Sequence, residues 1–120
     1  MIVSKRVIVT FSEPGFHNWP EASSDVSYLA SKHRHIFWFR VEVCVEGDNR
    51  EVEFHTLLKE LHIAMFRAFP HDPCVGYMFG DRSCEKIALD LRAACRSVLG
   101  IAAIEVWEDG ECGARVEWST

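Results

Sequence analysis

A chain of 120 residues is the length of one domain, residues 1–120, with enough side chains to bury a real core. Hydrophobic residues at 48% and charged residues at 26% are the proportions of a globular protein, not of a disordered one. The net charge of -5 argues against a general nucleic-acid binder, and no stretch approaches the roughly 18 apolar residues of a membrane span, so neither partner is expected.

The opening segment, "MIVSKRVIVTF", lacks the long apolar region of a signal peptide and reads as a strand over Val3–Phe11. "SEPGFHNWPEASSD" (Ser12–Asp25) concentrates Pro, Gly, Asn and Ser, the composition of an irregular loop. From His33 the pattern alternates again. Phe37, Phe39, Val41, Val43 and Val45 share one face, and Arg34, Trp38, Arg40, Glu42 and Glu46 share the other. Gly47, Asp48 and Asn49 mark a turn, and "EVEF" after it reads as a short return strand.

Helical spacing then takes over in His55–Phe69, with a stripe of Leu57, Leu58, Leu61, Met65 and Phe69 that Pro70 stops. A second loop, Pro70–Asp81, carries two prolines and two glycines. Asp81 or Ser83 is placed to cap a second helix, whose stripe includes Ile87, Leu91 and Cys95 and which Gly100 closes. The last segment reads as strand, turn and strand, with Asp109-Gly110 as the turn. Strands at both ends with helices grouped between them predict an α+β fold, with helices on one side of an antiparallel sheet.

Five cysteines, Cys44, Cys74, Cys84, Cys95 and Cys112, form no CxxC pair. An odd, scattered set without a secretory signal predicts reduced thiols in a cytoplasmic protein, most of them small core residues.

Three groups of residues have the chemistry for a site. His33 and His35, two apart on a strand, point to one face and are spaced to ligate one ion. Taken alone, such a pair is more often merely the polar start of an edge strand. His17 lies in the preceding loop. In "AAIEVWEDGECGARVEW", Glu105 and Trp107 share one strand face, with Val106 and Glu108 on the other. A carboxylate at such a strand end can accept the paired N–H donors of a guanine-like or pterin ring, or can be a solvated residue beside a turn. His71 and Asp72, between prolines, are an acid/base pair on a rigid segment or an ordinary surface loop.

Together these pieces resemble the 6-pyruvoyl-tetrahydropterin synthase and 6-carboxytetrahydropterin synthase family over nearly the whole chain. "HRHIFWFRVEVCVEGDNREVEFHTLLKEL" is similar to the family's His-Gly-His strand, its hairpin and its first helix. "SCEKIALDL" is similar to a helix opening with a Thr/Ser-x-x-Glu pattern, and "IEVWEDGECGARV" to the last hairpin. The resemblance implies the T-fold (tunnelling fold), ordered β-β-α-α-β-β with two helices on one face. It implies a Zn2+ ion on His17, His33 and His35, a pterin or purine-nucleotide ligand anchored by Glu108, and proton transfer by His71 with Asp72. It also implies a ring-shaped homo-oligomer, which would cover the open sheet edges.

The chain departs from the pattern most in two places. Arg34 stands where the family has glycine between the histidines, and "SSDVSYLASK" contains no cysteine where the family carries its catalytic one. Cys74, Cys84 and Cys112 remain as thiols that could approach from elsewhere. Two functions follow. The first is a zinc-dependent lyase on a dihydroneopterin-type or related purine-derived substrate, feeding a pterin or 7-deazaguanine pathway. The second is a non-catalytic zinc protein that sequesters or senses a guanine-like nucleotide or pterin, with Arg34, Arg40 or Arg82 facing phosphate. A purely structural oligomer is a third.

Overall fold

The computed structural model describes residues 3–119 and contains one mixed sheet with its helices packed on one face. The strands are β1 (Lys5–His17), β2 (His33–Val45), β3 (His71–Asp72), β4 (Gly76–Gly80), β5 (Ile101–Glu108) and β6 (Cys112–Glu117). They lie in the order β3-β4-β1-β2-β5-β6. Two α-helices, α1 (Phe54–Ala68) and α2 (Cys84–Ala94), and a short 3-10 helix (Ser24–Ala30) complete the structure. None of the described helices is long and apolar enough to cross a membrane.

The α+β order is the expected one, but several segments differ in instructive ways. β1 does not stop at Phe11: it runs through Pro14 and Gly15 to His17, paired with β2 along its whole length. Tertiary packing overrides the turn-like composition. A Cβ at Gly15 would sit 2.5 Å from the Phe79 ring, so glycine serves close approach there, not a turn. The loop expected at Pro70–Asp81 contributes β3 and β4 instead, and β4 pairs in parallel with β1, the one parallel pairing among the described residues. No return strand forms at "EVEF". There Glu53 caps α1, its carboxylate accepting from the backbone N–H groups of His55 (2.7 Å) and Thr56 (3.1 Å).

One face of the sheet is apolar and covered. Val9 and Phe11 of β1, Phe37, Phe39, Val41 and Val43 of β2, and Ile104 and Val106 of β5 are buried beneath the helices. Leu57, Leu61, Ala64 and Met65 of α1, with Ile87, Ala88 and Leu91 of α2, close the core. Ser83 caps α2 by accepting from the Lys86 N–H (3.2 Å).

The other face is polar, and a single carboxylate organises it. Glu42 is buried and receives Arg6 (2.8 Å), Arg40 (3.3 Å) and Arg115 (2.5 Å). Arg115, foremost, and then Arg6 hold its carboxyl at about 2, against the opposing effect of burial. Trp38 stands 45% exposed on the same face.

Because the folded carboxyl titrates at about 2 and the ordinary value is 4.5, the unfolded chain takes up the proton first as pH falls. The Glu42 contribution is therefore complete above pH 4.5 and lost between there and pH 2. Glu42→Gln should cost about 1–3 kcal/mol at neutral pH, less than a fully buried pair because the arginines are partly solvated. Urea unfolding at pH 6 and pH 3 checks this, with the difference between wild type and variant shrinking at the lower pH.

Candidate metal centre

β1 and β2 pair in an unbroken register in which His17 faces His33 and Gly15 faces His35. Side chains two apart share a face, so His33 and His35 continue the row of Phe37, Phe39 and Val41, and His17 joins them from across the ladder. The three imidazoles gather at the end of the sheet where the apolar face meets the start of α2. Their ring centroids lie 4.6 Å (His17–His33), 5.2 Å (His17–His35) and 5.0 Å (His33–His35) apart. One nitrogen from each ring can be chosen so that all lie within 4.8 Å of one another, a group that could hold a metal ion.

The other nitrogen of each ring is held by an acceptor. His17 Nδ1 donates to the Arg82 carbonyl (3.0 Å), His33 Nδ1 to the Ser31 carbonyl (2.9 Å), and His35 Nδ1 to Asp109 Oδ2 (2.7 Å). None of these oxygens can donate, so each Nδ1 carries the proton and each neutral ring presents the lone pair of Nε2. This is the way a protein orients imidazole for a metal. His35 Nε2 is buried and has no hydrogen-bond partner. A buried acceptor left without a proton donor is costly, and a cation at the centre of the cluster would satisfy it. The donor set therefore fits a divalent ion.

Asp109 owes its place to a turn. Asp109 and Gly110 both take positive φ, 56° and 71°, between β5 and β6. That conformation suits Asp-Gly and joins strands tightly. From it the carboxylate reaches back, taking the Ile36 N–H on Oδ1 (2.9 Å) and His35 on Oδ2. His35 foremost, and then the Ile36 N–H, hold the Asp109 carboxyl below its ordinary value.

Glu108, at the end of β5, is the other carboxylate of the site. Its Oε2 lies 3.0 Å from His17 Nε2 and its Oε1 lies 3.5 Å from His35 Nε2. Burial lowers His17, but Glu108 and the Arg82 carbonyl outweigh it and leave the imidazole above its ordinary value. Reciprocally, His17 holds the Glu108 carboxyl below its own. The first residue of α2, Cys84, donates its thiol to Glu108 Oε2 (3.7 Å). Burial foremost, and then the Glu108 charge, push that thiol up to about 12. It is a neutral thiol and a poor nucleophile at physiological pH.

These groups open onto a cavity of about 410 Å³ whose wall includes His17, His33, Arg82, Cys84, Glu108 and Cys112. His71 and Asp72 are not part of that wall. They form β3 at the far edge of the sheet, with His71 against Phe66 (4.2 Å between ring centroids) and Asp72 folded into a turn by accepting the Cys74 N–H (2.8 Å). Of the arginines named for phosphate, only Arg82 lines the cavity, and it is engaged by Asp90 (2.7 Å). Arg40 lies on the opposite face with Glu42.

Sequence reasoning placed neither Asp109 nor Cys84. The Asp-Gly dipeptide gave the turn, but the reach of its carboxylate to His35 depends on β2 lying beside β5. Cys84 stood out only as one of three thiols, of which Cys84 and Cys112 line the cavity and Cys74 is exposed in the β3–β4 turn.

No family model matches the sequence, and no curated protein matches it significantly. Solved structures do match its shape. The 6-pyruvoyl tetrahydropterin synthase of Caenorhabditis elegans superposes with a TM-score of 0.69 at 13% identity, covering 98% of each chain. An uncharacterized protein from Wolinella succinogenes superposes with a TM-score of 0.61 at 14% identity, covering 97% of this chain and 99% of that one. The likeness shows the fold: the chain has the T-fold of the pterin synthase-like structures.

Asp109→Asn should weaken binding of a divalent metal by about 10–100-fold. The asparagine Oδ1 can keep the Ile36 N–H, and asparagine tolerates positive φ. Its amide, however, would present N–H to His35 Nδ1 and drive the ring to the tautomer that protonates Nε2. Chelator competition measures the loss, and an unchanged thermal midpoint of the metal-free protein would separate it from unfolding.

Proposed function

We propose that the protein is a zinc-dependent, pterin synthase-like protein acting on a dihydroneopterin-type or related purine-derived compound. The observation that carries the reading is the trio of Nε2 lone pairs, each set by an acceptor on its Nδ1 and converging beside a cavity large enough for a bicyclic ring. Histidine nitrogens suit zinc, and a three-histidine site leaves a position for an oxygen of the ligand. When bound there, zinc would polarise a hydroxyl or carbonyl of the substrate and ease its deprotonation.

The chain's own residues would do the rest. Glu108 would accept the paired N–H donors of the ring edge, since a carboxylate offers about four lone-pair sites and the Cys84 thiol uses only one of them. Cys84 and Cys112 would line the ring's surroundings. His71 with Asp72 would move protons, and because they sit on β3, outside this cavity, they would do so for the cavity of a neighbouring copy in a homo-oligomer. The uncovered outer edges of β3 and β6 supply strand edges for such an assembly.

A specific observation favours a second reading, a protein that keeps the metal and the pocket but binds its ligand without turning it over. The segment before His33 has no cysteine, and the thiol that does reach the cavity, Cys84, is held neutral. Dihydroneopterin triphosphate incubated with zinc-loaded protein and followed by mass spectrometry separates the two. The lyase reading expects conversion that His35→Ala abolishes together with bound zinc. Unchanged substrate with stoichiometric zinc and a retained pterin or purine would leave only the binding protein.

A further inference from the structure

We propose that Glu108 is the fourth ligand of the metal centre in the ligand-free protein, so that the resting site is a His17–His33–His35–Glu108 centre with no open position. The inference rests on the metal reading above and concerns what closes the site.

Two sets of acceptors face each other at the site. With Nδ1 of His17 and His35 protonated, both Nε2 atoms are lone pairs when the rings are neutral, and both face oxygens of one carboxylate, at 3.0 Å and 3.5 Å. Lone pairs at that separation repel unless something positive lies between them. A proton on His17 Nε2 would answer for the shorter contact alone. It would leave His35 Nε2 without a partner, which is where the structure has its orphaned buried nitrogen. A divalent cation answers for both.

The spacing agrees. Ligand atoms about 2.0–2.1 Å from a tetrahedral zinc lie about 3.3 Å from one another, and each Glu108 oxygen stands near that spacing from one ring, Oε2 from His17 (3.0 Å) and Oε1 from His35 (3.5 Å). Glu108 approaches from the side of His17 and His35, and its backbone is fixed opposite Phe37 in the β2–β5 ladder. Cys84 steadies Oε2 from the other side (3.7 Å). The carboxylate is thus delivered to the cluster by a strand and not by a mobile loop.

The consequence is a gate. The carboxylate that would hold the ring edge of a pterin or purine is the one that closes the metal in its absence. A ligand must draw Glu108 away by offering its paired N–H donors, and only then does a metal position open for the ligand's own oxygen. A small anion with no such donors finds the site closed.

Cobalt(II)-loaded protein titrated with thiocyanate tests this through its visible spectrum, without any turnover assay. The wild-type spectrum should resist thiocyanate to concentrations at least about tenfold above those that shift Glu108→Ala or Glu108→Gln, because a filled four-coordinate site has no place for the anion. The variants should also differ from wild type before any anion is added, since a water replaces a carboxylate. Wild type and variants responding alike, with matching starting spectra, would overturn the assignment of Glu108 while leaving the three-histidine centre intact. Failure of the wild type to bind cobalt or zinc would overturn both readings. Glu108→Gln, close to glutamate in size, supplies the comparison where Glu108→Ala folds poorly.

Discussion

The pairing of β1 with β2 is the constraint on which the rest of the molecule depends. Each residue of β1 from Lys5 to His17 has a fixed opposite in β2, and the same parity that buries Val9, Phe11, Phe39 and Val41 also turns His17, His33 and His35 toward the helices. A slip of one residue would carry His17 to the polar face and expose the aromatic row. Core packing therefore enforces the geometry of the site. The free energy of burying those apolar side chains holds the register, and the register holds the three rings together.

Building a polar cluster at the end of an apolar row has a cost, since each buried nitrogen needs a partner. The chain meets it from several directions. Backbone carbonyls of Ser31 and Arg82 and the Asp109 carboxylate take the three Nδ1 protons, and Glu108 faces the Nε2 side. One nitrogen, on His35, is left over. The two faces of the sheet thus treat buried charge differently. Glu42, on the polar face, is surrounded by arginines and is complete within the chain. The histidine cluster keeps one buried nitrogen that a cation would satisfy.

Much of the fold was legible because it rests on local period. The alternation from His33 to Val45, the stripes of α1 and α2 and the Asp109-Gly110 turn each declare themselves within a short window. What was not legible rests on long-range pairing. Pro14 and Gly15 look like a turn until Phe79 and β2 are in place around them, and Gly76–Gly80 becomes a strand only because β1 offers it an edge. The site divides along the same line. His33 and His35 are adjacent enough to be read as a pair, whereas His17 needed a family resemblance and joins them through strand register. Asp109 and Cys84 come beside His35 and Glu108 only in three dimensions. His71 and Asp72, readable as an acid/base pair, lie at the other end of the sheet order from β5 and Glu108.

Everything proposed for this site depends on a cation at the end of the β1–β2 ladder. The most direct measurement is crystal diffraction from the purified, zinc-supplemented protein on either side of the zinc absorption edge. The account predicts one strong anomalous peak enclosed by the Nε2 atoms of His17, His33 and His35. No peak there, or zinc held instead by the cysteines or surface carboxylates, would contradict it.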